Sequence, residues 1–161
     1  MFDLAQFLGS ISPVVRPSQA RPLVVHDDEL ETLPAGQVPN PSTLRIAGTL
    51  PTATFELFRQ SIPAGESSDM HRHYHETVHF VISGAGHSEV EDETVTWGTG
   101  DFIYTPVWTW HRHWNDSDQE PVHFLTIENS RLLGLLGVGR RQSAGLVSVE
   151  EARLMYKDGP R

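Results

Sequence analysis

Between about residues 43 and 128 apolar and polar positions alternate in short runs, each ended by glycine, proline or an acidic pair. A period of two is the pattern of strands with one buried face. The runs predict strands over 44–50, 54–62, 69–73, 77–82, 87–91, 94–97, 102–105, 111–114 and 122–127, with a hairpin turn at Asp92-Glu93. Many short strands at regular spacing make an all-β sandwich or barrel. Phe55, Leu57 and Phe58, and later Phe124, Leu125 and Ile127, supply apolar side chains for its core.

The flanks read differently. Residues 1–40 open on a short amphipathic stretch (Phe2, Leu4, Phe7, Leu8) and continue through prolines at 13–22 and 34–41, which predicts a proline-rich N-terminal arm. Residues 41–130 hold one barrel, with no internal repeat. In the extension 131–161, Ser148-Val149-Glu150-Glu151 matches a capping box and opens a short C-terminal helix through Tyr156. Gly134, Gly137 and Gly139 are turn glycines; their spacing is not that of a dinucleotide loop.

Composition narrows the function. The 161 residues contain no cysteine, so disulfides are excluded and any metal must be held by histidine, carboxylate or water. A net charge of −9 argues against nucleic acid as a partner. The richest apolar stretch, 132–138, is too short to span a membrane, and residues 1–13 lack the pattern of a secretory signal, so a cytoplasmic protein is expected. The apolar opening and the sheet edges lead us to expect a homo-oligomer, a dimer.

Nine histidines then take over the argument. His71 and His73 stand at i and i+2 and share one face of a strand, and His111 adds a third imidazole from a distant strand. Three such nitrogens on one interior wall bind a divalent metal and leave further coordination positions open. Imidazole suits Fe, Zn, Cu and Ni alike. Other residues join by strand parity: Thr77 and His79 face the interior if the ligands do, and His113 shares the face of His111. Tyr104 could offer a phenol, although packing explains it as well, and Trp108 and Trp110 flank the third ligand as walls of the cavity. His75 and Glu76 read as a solvated turn, and Asn115 as a cap on the loop behind His111. Glu89, Glu91 and Glu93 alternate onto a solvated face, and nothing has the order of a catalytic triad, so no catalytic side chain is assigned.

The spacing Gly65-x5-His71-x-His73 up to Gly84, then Gly100-x5-Pro106-x4-His111-x3-Asn115, resembles the two-motif signature of the cupin superfamily. That resemblance implies a double-stranded β-helix, the jelly-roll barrel. Within it HRHYHETVHFVISGAG and GDFIYTPVWTWHRHWND, followed by EPVHFL, resemble the N-terminal cupin of the gentisate 1,2-dioxygenase family over residues 65–128. The resemblance implies Fe(II) held by His71, His73 and His111, a small hydroxylated aromatic or similar chelating substrate, and dioxygen. The chain departs from the pattern at three positions. Thr77 stands where the usual cupin signature has a metal-binding Glu, and Glu76 lies one residue early on the opposite face. His79 stands where the family tends to carry Arg, and Trp108 where many cupins have Gly. Family members typically contain two cupins, and one is read here. Two other readings compete: a non-catalytic or regulatory cupin, and an isomerase or lyase using Zn, Ni or Mn.

Overall fold

The computed structural model describes residues 22–36 and 40–156, so the amphipathic opening of the expected arm lies outside the described residues. Among the described residues eleven strands are formed: β1 (Glu31–Leu33), β2 (Thr43–Ile46), β3 (Glu56–Ile62), β4 (Met70–His73), β5 (Thr77–Ser83), β6 (Ala85–Val90), β7 (Glu93–Gly98), β8 (Phe102–Thr105), β9 (His111–Asn115), β10 (Val122–Glu128) and β11 (Arg141–Gly145). Two helices, α1 (Ser130–Leu135) and α2 (Val149–Met155), follow β10 and β11. The strands make two antiparallel sheets, ordered β1-β2-β3-β10-β5-β8 and β11-β4-β9-β6-β7. The all-β cupin architecture expected from the sequence is the one observed.

Each predicted run has its strand, although the first stops at Ile46 rather than residue 50. The β6–β7 turn is Glu91-Asp92, one residue earlier than predicted, with Glu91 at φ 51. Arg153 of α2 grips both of its carboxylates, at 2.6 Å from Glu91 and 2.8 Å from Asp92. Two strands and a helix went unpredicted. β1 comes from within residues 1–40 and pairs with β2, and β11 comes from within 131–161 and pairs with β4. Both are short and polar, and the pairing partner rather than their own pattern makes them strands.

Between the sheets, Ile62, Val81, Trp97, Ile103, Val122 and Phe124 form the apolar end of the interior. Gly86 is required there, because a Cβ would lie 2.0 Å from the Trp114 carbonyl oxygen and 2.7 Å from the Trp97 ring. A second cluster lies outside the barrel. Met70, Trp110, Ala144, Val149 and Ala152, with Val147 and Tyr156, fasten α2 to the back of β4 and β11. The helix starts as the sequence predicts: Ser148 Oγ accepts from Glu151 N and the Glu151 carboxylate accepts from Ser148 N.

Candidate metal centre

Strand parity builds the site. In β4, Met70 and Arg72 point out while His71 and His73 point in, and β9 sets His111 directly opposite His71. One nitrogen of each of the three lies within 4.8 Å of the others. Their rings are held by the backbone. Nδ1 of His71 sits 2.9 Å from the Asp69 carbonyl oxygen, that of His73 2.8 Å from His75 O, and that of His111 2.9 Å from Thr109 O. A carbonyl only accepts, so each Nδ1 carries the hydrogen and each Nε2 keeps its lone pair. The donor set suits a divalent metal: three imidazoles, pre-oriented through their second nitrogens.

Burial keeps His73 and His111 uncharged. His73 is pushed down to about 2 by burial first and then by His75 and His71. His111 is held well below its usual value by burial, with His71 and His73 adding to it. Behind His71 stands Asp69, 1% exposed, with Oδ1 3.2 Å from His71 Nδ1. Burial works to raise the Asp69 carboxyl, but His71, Arg141 and Ser143 overcome it and hold the group below the usual carboxylate range. Asn40 donates to it as well, at 2.9 Å.

The histidines open on a cavity of about 230 Å³. Leu33, Leu44, Ile46 and Phe58 line one side, so β1 contributes to the site. Thr77, His79 and His113 line the cavity too, as parity predicts, all three buried. His79 and His113 meet edge to face with ring centres 4.5 Å apart. Burial lowers both, His79 well below its usual value and His113 to about 3, with neighbouring imidazoles adding to the effect.

His113 differs from the three clustered rings in its tautomer. Its Nδ1 lies 2.7 Å from Ser88 Oγ, which already accepts a 2.8 Å hydrogen bond from the Trp97 indole. Among the described residues His113 Nδ1 is the one acceptor within reach of the Ser88 hydroxyl hydrogen, and giving it that hydrogen places the ring hydrogen on Nε2. Among the described residues that Nε2 is buried without a partner, as is Thr77 Oγ1. His113 thus offers the cavity a donor rather than a lone pair.

Three other expected pocket residues lie elsewhere. Tyr104 shares the outward face of β8 with Phe102, is 52% exposed and donates to Glu76, so its phenol does not reach the cavity. Trp110 precedes an inward histidine and must point out; it anchors α2 instead. Trp108 packs outside against Tyr74 and under Arg72, whose guanidinium also sits 4.6 Å from the Trp110 ring. His75 is not a solvated turn residue: it stacks on His73 at 3.6 Å and its Nε2 is 3.1 Å from Glu128. Glu76 is exposed as expected. Asn115 does tie a loop, donating to the carbonyls of Ile62, Pro63 and Glu120. The supporting residues Asn40, Asp69, Ser88, Arg141 and Ser143 carry no local sequence signal.

The fold is a cupin fold, and the sequence model of the cupin domain matches residues 58–128. That segment is similar to the cupin domain family. Among its relatives, 5-aminosalicylate 1,2-dioxygenase of Comamonas sp is 38% identical over 96 residues, 59% of this chain and 24% of that protein. The chain thus spans about a quarter of that relative's length. Among solved structures, a cupin-2 domain from Rhodospirillum rubrum superposes with a TM-score of 0.61 at 20% identity, covering 89% of this chain and 93% of that one. The salicylate 1,2-dioxygenase of Pseudaminobacter salicylatoxidans superposes at 0.60 with 18% identity, over 68% of this chain and 32% of that one. At such identities these structures speak for the fold alone. Among the described residues, no helix is long and apolar enough to cross a membrane.

Proposed function

We propose that this protein is a mononuclear Fe(II) dioxygenase for a small hydroxylated aromatic or similar chelating substrate, with His71, His73 and His111 as the metal ligands. The observation that carries the reading is the convergence of three Nε2 lone pairs, with Thr77 rather than a carboxylate beside them, on a small cavity. The similarity to 5-aminosalicylate 1,2-dioxygenase supports it. Iron, when bound, supplies the redox chemistry by which dioxygen and an electron-rich ring react.

The chain's own residues do the rest. Three uncharged ligands leave the metal its full formal charge, which favours anionic, chelating oxygens. The backbone carbonyls behind His71, His73 and His111 fix the rings before anything binds. His113 Nε2–H is a donor for a substrate oxygen, and His79 beside it is held by Thr126 at 2.9 Å. Leu33, Leu44, Ile46 and Phe58 exclude water and fit a planar ring.

Anaerobically purified protein loaded with Fe(II) should consume oxygen stoichiometrically with one member of a panel. The panel comprises gentisate, substituted salicylates, catechols, hydroquinones and β-diketones. The His111→Ala variant should lose both metal and oxygen uptake. Bound metal with no uptake on any compound defeats the dioxygenase. Turnover under strict anaerobiosis would replace it with an isomerase or lyase.

A further inference from the structure

We infer that Arg141 is the anion anchor of the cavity, its guanidinium taking a carboxylate of the ligand bound beside the histidines. The inference rests on the proposed site and adds what that site selects. Pairing in β11 sets Arg141 opposite His73 and Ser143 opposite His71, so both face the interior, while Gln142 lies outside bonded to Arg72. Among the described residues that line the cavity, Arg141 is the one arginine or lysine.

Arg141 is also held in place without being used up. Its Nη2 donates to both oxygens of Asp69, at 3.4 and 3.2 Å, while Nε and Nη1 make no hydrogen bond among the described residues. Asp69 has other partners in Asn40, Ser143 and His71, so it fixes the arginine and does not depend on it alone. The side chain is 43% exposed, which leaves those two donors open to an incoming ligand. Nε–H and Nη1–H lie on different sides of the guanidinium, and each can donate a charge-assisted hydrogen bond to a carboxylate oxygen. The lining acids are engaged elsewhere: Glu128 with His75 at 3.1 Å and Glu56 with Ser130 at 3.1 Å. An anionic ligand is thereby turned with its charge toward β11.

The test uses the Zn(II)-loaded protein, which binds without turnover, and two probes of one shape, salicylate and salicylamide. By calorimetry the wild type should prefer salicylate by roughly tenfold or more, as expected for a charge-assisted pair. Arg141→Gln should abolish that preference, and Arg141→Lys, which keeps the charge but not the fork, should restore part of it. Because Asp69 touches both Arg141 and His71, zinc content is measured on each variant. The titrations are repeated on metal-free protein, where the preference must again depend on Arg141. Equal binding of the two probes by the wild type, no binding of either, or an unchanged preference in Arg141→Gln overturns the anchor. Oxygen uptake is not read, so a salicylate preference without dioxygenase activity would leave the anchor standing and remove the dioxygenase alone.

Discussion

Trp108 carries a cost that its neighbours offset. A φ of 59 is unusual for a bulky residue and costs about 1–2 kcal/mol, which glycine avoids. Against this stand the Tyr74 ring at 4.3 Å, the Arg72 guanidinium at 4.5 Å, and a 2.7 Å hydrogen bond from Trp108 N to His73 O. Trp108→Ala keeps the strain and loses the stack, whereas Trp108→Gly loses the stack and relieves the strain. Denaturant unfolding should therefore rank Gly above Ala by about 1 kcal/mol, the reverse of their usual order in strands and helices. Ala equal to or better than Gly would show that the backbone is not strained. The same position explains why a sequence reading places Trp108 in the cavity wall: proximity to His111 was legible, but the turn that throws the ring outward was not. Tyr104 and Trp110 were legible by the parity that located the histidines. Residues adjacent to an inward side chain in a strand face out.

At the scale of elements, α2 is the brace behind the ligand strands. Trp110, 1% exposed, is the centre of that contact, with Tyr156 at 5.3 Å and Met70, Ala144 and Ala152 around it. Trp110→Ala should lower stability by about 3–5 kcal/mol, the usual cost of emptying a core tryptophan site. A loss below about 1 kcal/mol, measured by chemical denaturation, would mean that α2 is not fastened there. The interior strands of the barrel were legible because alternation and core demand coincide in them. The edge strands were not: Glu-Thr-Leu in β1 and Arg-Gln-Ser-Ala-Gly in β11 have no apolar stripe and take their form from β2 and β4. The metal ligands were legible from spacing. Asp69 and Arg141 were not, because the pair joins residues 72 apart.

The molecule as a whole buries four histidines that must stay neutral: His73, His79, His111 and His113. Above the unfolded value near 6.5 these rings are neutral in both states and favour neither. As pH falls below it the unfolded chain takes up protons that the fold refuses, down to about 3 for His113 and about 2 for His73. Each ring then costs about 1.4 kcal/mol per pH unit, so four cost on the order of 5 kcal/mol per unit. Asp69 has the opposite window: its contribution is complete above the unfolded value of 3.8 and is lost only as pH falls beneath it. Melting temperatures of metal-free protein should hold above pH 7 and drop steeply between 6.5 and 4.5. A flat profile across that range would contradict the buried neutral rings.

The sheet order also sets a timetable. His71 finds His111 across the β4–β9 pairing, and β4's other edge is filled by β11, whose Ser143 reaches Asp69 across 74 residues. Pairings of such separation close slowly and late, after local turns have formed. During synthesis the His-x-His pair emerges well before its third companion, and the strand that shields it comes later still. An ion bound by all three histidines would therefore not nucleate folding, as zinc does in a finger domain. It would enter through the mouth of a barrel already closed, and its supply would govern how much protein is active rather than how much is folded.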